Sequence, residues 1–212
     1  MQKNLLLAAI SFLTATLAAE DPQVTQTLDI APVWAGHPVG FALWTQPPRQ
    51  FVAFYDADRA LTVAQRLLTE TQWQCFKLPE QLAWDSHNSI DMALDPDGYI
   101  HLAANMHCVP LKYYRTARPF DASTFEKIPG MVGRDETKCT YPAFFTGPGN
   151  QFMFTYRTGQ SGNGDQIFNV YDRETKTWHR LLDTPFTDGE GLRNAYLHGP
   201  TMGPDGYCHL CW

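Results

Sequence analysis

The chain has 212 residues, 44% hydrophobic, 13% aromatic and 18% charged, which suits a globular domain with a buried core and excludes a disordered chain. Sixteen Lys and Arg against 22 Asp and Glu give a net charge of −6, which argues against a nucleic-acid binder with a basic face. Fifteen Gly and 15 Pro among 13 Phe, nine Tyr and six Trp favour many short strands and turns over long amphipathic helices.

Residues 1–19 read as a secretory signal peptide. Lys3 supplies the positive start, Leu5 to Leu17 the apolar stretch, and Ala18 and Ala19 the small residues before a polar turn at Glu20. The apolar run is too short to span a bilayer comfortably, and no later segment approaches a span. The mature chain, 20–212, is therefore expected to be secreted or periplasmic, with no membrane span once the signal is cleaved, and monomeric.

Beyond the leader the chain repeats itself. A turn followed by an apolar strand recurs at 47–56 (PPRQFVAFYD), 96–105 (PDGYIHLAAN), 148–157 (PGNQFMFTYR) and 204–212 (PDGYCHLCW). Aligning Arg49, Gly98, Asn150 and Gly206 gives steps of 49, 52 and 56 residues. A second apolar segment follows each of the first three, and Trp73, Phe125 and Trp178 fall 24, 27 and 28 residues after the anchors. Repeats of this length built from four short strands are the mark of β-propeller blades, each needing neighbours to bury its faces. The expected fold is all-β, with blades near 45–80, 87–130 and 141–184 and an incomplete one at 198–212. Three blades and the first strand of a fourth cannot close a ring, so the chain reads as the N-terminal portion of a longer protein.

In a propeller, loops and strand ends near the central face carry ligand sites. The stretch 84–116 holds three histidines. His101 alternates within a strand and reads as structural; His87 opens its blade and His107 ends a strand. In the next blade Tyr141 takes the place just after that of His87, and Arg157 ends the following strand. Hydrogen-bonded loop histidines are the bland alternative. Together, however, imidazole, phenol and guanidinium suit elimination from a uronate. Arg binds a carboxylate bidentately without losing its own proton, and His or Tyr gives and takes protons. Asn88, Arg193 and His198 are further candidate contacts to a sugar.

Several strings, namely D-x-H-N-S with DPDGYIHL, PL-x-Y-Y-R-T, TYPAFF, YR-T-G-x-S-G-N-G-D and DGEGLRNAY, resemble the exported BNR-repeat propeller proteins over residues 50–212. Members of that family include propeller ulvan lyases, which cleave sulfated algal polysaccharides by β-elimination. The resemblance implies that His87 and His107 match the paired active-site histidines, Tyr141 the catalytic tyrosine and Arg157 the carboxylate-neutralising arginine. It implies a propeller that is seven-bladed when complete, and a secreted polysaccharide lyase acting on an acidic, ulvan-like polysaccharide. One of His87 and Tyr141 would take the proton and the other would protonate the leaving oxygen. Cys108 follows His107 where a polar residue is expected. The alternatives are a sialidase-like glycoside hydrolase, for which a second and third arginine are not evident, and a glycan-binding propeller without catalysis.

This chemistry requires no cofactor, although a structural cation, zinc or calcium, has candidate donors. Cys208-x-x-Cys211 has metal half-site spacing near His209 and His198, but a strand would put those cysteines on opposite faces. Five cysteines leave at least one without a partner in the chain. Ser161-Gly-Asn-Gly-Asp165 lacks EF-hand spacing and reads as a polar hairpin, and Asp95 and Asp97 read as turn residues. Tyr113-Tyr114 and Phe144-Phe145 offer rings to a sugar, or to the core by alternation.

Overall fold

The computed structural model describes residues 23–193 and 196–211, so the signal-peptide reading lies outside the described residues. Among the described residues, fourteen strands follow one another as antiparallel meanders. The first sheet contains β1 (Ala42–Gln46), β2 (Arg49–Tyr55), β3 (Ala60–Leu67) and β4 (Gln74–Gln81). The second contains β5 (Ile90–Leu94), β6 (Ile100–Ala104), β7 (Tyr113–Thr116) and β8 (Phe125–Ile128). The third contains β9 (Cys139–Thr146), β10 (Phe152–Gln160), β11 (Asn163–Asp172) and β12 (Thr177–Arg180). A two-stranded sheet follows, β13 (His198–Met202) with β14 (Cys208–Cys211). Among the described residues no helix is long and apolar enough to cross a membrane.

The repeated anchor segments form the second strand of each sheet, β2, β6, β10 and β14, not the first. The fourth sheet accordingly has two described strands where the sequence suggested one. Turn chemistry explains why two of these anchors share one string. Before β6, the Asp95 carboxylate accepts the backbone N–H of Asp97 and of Tyr99, both at 2.9 Å, while Gly98 takes a φ of 85°. Before β14, Asp205 accepts the Tyr207 N–H at 3.1 Å and Gly206 takes a φ of 80°. An Asx turn closing on a left-handed glycine is a compact way to reverse a strand, and it leaves a fixed sequence trace.

Each four-stranded sheet buries both faces. On β6, Ile100, Leu102 and Ala104 pack with Phe51, Tyr55 and Val63 of the first sheet, whereas Ala103 joins Phe152, Phe154 and Trp178 of the third. Tyr114 and Tyr113 divide in the same way, both fully buried, so neither offers a ring to a ligand. Period-two alternation between two apolar neighbours turns an amphipathic strand into a continuous buried run. Beyond the third sheet, Met153, Phe168 and Val170 meet Phe145, Leu197 and Leu210. The first strands of successive sheets adjoin, β1 with β5, β5 with β9 and β9 with β13, as strands do around a common axis.

His101 is structural, as its strand position suggests. Trp178 Nε1–H donates to the Tyr113 hydroxyl at 3.2 Å, and that hydroxyl lies 2.7 Å from His101 Nδ1. The opposite ring nitrogen, Nε2, lies 3.2 Å from an Asp95 oxygen. An acceptor-only carboxylate requires Nε2–H, so Nδ1 receives the Tyr113 proton. Burial lowers the His101 pKa, with Asp95 opposing that shift, which keeps the ring neutral.

Candidate active site

Three segments from two sheets build the site. The loop at 82–89 joins β4 to β5 and is pinned from beneath. Asn105, with a left-handed φ of 58°, accepts the Ala83 N–H at 3.0 Å and donates to Gln81 O at 2.8 Å and Glu80 Oε1 at 2.6 Å. Asn88, a candidate sugar contact from sequence, is only 2% exposed. Its side-chain NH2 donates to Ala83 O and its backbone carbonyl accepts the Tyr55 hydroxyl at 3.0 Å. It braces the loop and has no face left for a sugar.

On that loop Asp85 accepts the His87 backbone N–H at 2.9 Å and lies 2.6 Å from His87 Nδ1. Its other oxygen lies 2.5 Å from Nδ1 of His107, which follows β6. The two imidazoles stack, with ring centroids 4.1 Å apart and planes 23° apart. Burial acts to raise the Asp85 pKa, but hydrogen bonds from the His87 backbone, His107 and the His87 ring outweigh it and hold the carboxyl far below the usual carboxylate range.

Tyr141 enters from β9 at a bulge. Thr155 pairs with Ala143 and Arg157 with Thr140, so Tyr141 and Pro142 together oppose Tyr156. Tyr141 has a φ of 55°, a left-handed conformation that a bulky residue adopts at a cost of about 1–3 kcal/mol. Bulges re-aim side chains beside functional sites, and here the phenol ring comes to 6.0 Å from His87 by centroid. The Arg157 guanidinium carbon lies 5.2 Å from the Tyr141 ring centre and 5.8 Å from that of Tyr196.

Arg157 stands within β10, which runs three residues beyond it to Gln160; the expectation that it ends its strand is corrected. It is 2% exposed. Nη2 donates to Thr140 Oγ1 at 3.0 Å and to Cys108 Sγ at 3.3 Å, so Cys108, the departure noted in the sequence, serves as a soft acceptor. Nε has no partner, and no carboxylate lies within ion-pair distance of the guanidinium among the described residues. A cleft of about 390 Å3 opens over Arg157, within the size range of small-molecule sites. Ser89, Tyr141, Gln166, Tyr196 and His198 share its wall.

The structure thus brings together His87, His107, Tyr141 and Arg157, with His198 on the cleft wall. Arg193 does not join them: it is exposed, pairs with Glu190 at 2.9 Å and is absent from the cleft lining. Asp85, Thr140 and Tyr196 are site residues that sequence reasoning did not single out. For Asp85 the signal was its place two residues before His87 in the D-x-H-N-S string.

Asp85, His87 and His107 form the one group of His, Cys, Asp and Glu donors that lies mutually within 4.8 Å among the described residues. Hydrogen bonds between them occupy both Nδ1 positions. All five cysteines are free thiols, with Cys75 and Cys211 exposed, and His209 turns to Asp205 rather than to Cys208.

The chain is 26% identical to the ulvan lyase, long isoform, of Glaciecola sp. (strain KUL10), over 56% of this chain and 16% of that relative. It is 27% identical to the ulvan lyase, long isoform, of Pseudoalteromonas sp. (strain PLSV), over 57% and 17%. Its fold matches the crystal structure of the polysaccharide lyase Uly1 with a TM-score of 0.60 at 22% identity, covering 78% of this chain and 45% of that one. A PL25 ulvan lyase bound to -[GlcA(1-4)Rha3S]- matches with a TM-score of 0.58 at 16% identity, over 74% and 40%. The chain therefore spans about a sixth of the length of these curated relatives and under half of the solved structures. These likenesses support a propeller-type arrangement of the sheets. Residues 49–212, which hold all the strands from β2 onward and the whole cleft, match the description "BNR repeat-containing family member", and the chain belongs to that family.

Proposed function

We propose that this chain forms part of an exported polysaccharide lyase that cleaves an acidic, uronate-containing polysaccharide by β-elimination. The observation that carries the reading is Arg157, a buried guanidinium with no carboxylate partner among the described residues, under a cleft walled by Tyr141. A buried charge is costly when left unpaired, and a uronate carboxylate entering the cleft supplies the missing anion. The ulvan lyase relatives support the same reading at the level of the reaction class.

Elimination then needs three events at one sugar ring. Arg157 neutralises the carboxylate and so stabilises negative charge that develops on the adjacent ring carbon. A base takes the proton from that carbon, and the electron pair forms a carbon–carbon double bond. The neighbouring carbon–oxygen bond breaks, and an acid protonates the departing glycosidic oxygen. Tyr141 and His87 supply the base and the acid, with ring centroids 6.0 Å apart.

Incubation with uronate-containing polysaccharides tests this directly. Ultraviolet absorbance of an unsaturated uronate is expected to grow in step with new reducing ends. Reducing ends that accumulate without that absorbance would show hydrolysis instead. Binding with neither signal would leave a glycan-binding propeller.

A further inference from the structure

We infer that Asp85 is the positioning residue of this site: one carboxylate fixes both stacked imidazoles in the Nδ1–H tautomer, leaving both Nε2 atoms as bare acceptors. The geometry is specific. Oδ1 meets Nδ1 of His87 at 2.6 Å and Oδ2 meets Nδ1 of His107 at 2.5 Å. An ionised carboxylate can only accept, so each Nδ1 must carry hydrogen. In a neutral ring the proton on one nitrogen empties the other. Neither Nε2 has a hydrogen-bond partner among the described residues, so both remain available to substrate.

The Asp85 carboxylate is itself held still. The His87 backbone N–H ties it into an Asx turn, and the loop beneath rests on Asn105 and Asn88. Stacking at 4.1 Å then fixes each ring against the other, so that one side chain orients two. Partners that hold an imidazole's tautomer typically matter for turnover rather than for affinity.

The tautomer assignment stands on the hydrogen bonds alone, whereas its catalytic consequence rests on the lyase reading. The two are separable by experiment. Two-bond nitrogen–proton correlation spectra of 15N-histidine-labelled protein, taken above neutral pH, report which nitrogen of each ring carries hydrogen. His87 and His107 are expected as Nδ1–H in the wild type. Asp85→Asn retains a carbonyl oxygen but offers an NH2 group to the second ring, which must then switch to Nε2–H.

In turnover on a uronate polymer, D85N is expected to lower kcat on the order of 10²–10³-fold with KM changed less than about threefold. Wild-type rings found as Nε2–H would overturn the inference, as would D85N spectra with both rings unchanged. Stoichiometric zinc in the purified protein, held in D85N as in the wild type, would also overturn it by giving the Nδ1 atoms another role. Correct tautomers in a protein without lyase turnover would support the Asp85 assignment while sinking the proposed function.

Discussion

At the scale of single residues, the site concentrates costs that a purely structural sheet would avoid. Tyr141 sits in the left-handed region, and Arg157 is buried with an unpartnered Nε and no counter-charge among the described residues. Arg157→Met keeps the length and most of the volume of the side chain while removing the charge. Because an uncompensated buried charge is costly to the fold, removing it should leave a Tm in thermal unfolding equal to or above that of the wild type. Lyase turnover should fall at least on the order of 10²-fold, since the group that stabilises developing charge is gone. A large fall in Tm would instead make Arg157 a structural keystone. The residues that sequence located best here were those with distinctive side-chain chemistry at matching repeat positions. Asp85 escaped because an aspartate two residues before a histidine in a loop looks like any Asx turn. Its second contact, to His107 22 residues away, exists only after folding. Asn88 and Arg193 failed for the reverse reason: polarity alone does not distinguish a loop brace or a surface ion pair from a ligand contact.

At the scale of strands and sheets, repeat phase revealed the second strands because their turns are built from Pro, Gly and Asp, with Asp and Gly at the same places before β6 and β14. The first strands, ALWTQ, IDMAL, CTYPAFFT and HGPTM, share no such pattern, since each is fitted to the sheet beside it. Asp91 shows what that fitting involves. It lies on the face of β5 turned toward the third sheet and accepts the backbone N–H of Phe144 in the adjoining strand β9. This satisfies a donor on an edge strand that would otherwise be buried unpaired. Burial pushes the Asp91 carboxyl up from 3.8 to about 6, against the opposing pull of the Phe144 N–H. Below its ordinary value both folded and unfolded chains are protonated there, and the group has no effect on pH dependence. Between that value and about 6 the unfolded chain loses the proton while the folded chain keeps it, so stability falls as pH rises. At ~1.4 kcal/mol per pH unit the loss reaches about 3 kcal/mol above this window. Asp91→Asn keeps an oxygen for Phe144 and removes the ionisation. Denaturant unfolding is expected to show the variant more stable than the wild type at pH 8 and equal to it near pH 3.5. Equal stability at both would mean that Asp91 ionises as freely in the folded chain as in the unfolded one.

At the scale of the whole molecule, the cleft draws its walls from segments of three successive sheets. The second sheet has neighbours on both faces, and every residue of β6 is buried. The chemistry is split across successive sheets. His87 and His107 flank strands of the second sheet and Arg157 and Tyr141 lie in the third, whereas Tyr196 leads into the fourth and His198 opens its first strand. A uronate oligosaccharide held by Arg157 would also touch the wall formed by Tyr196 to Pro200, so its binding should slow exchange at His198, Gly199 and Thr201 and leave β6 unchanged. Protection confined to the second and third sheets would place the sugar away from His198 and remove that residue from the binding surface.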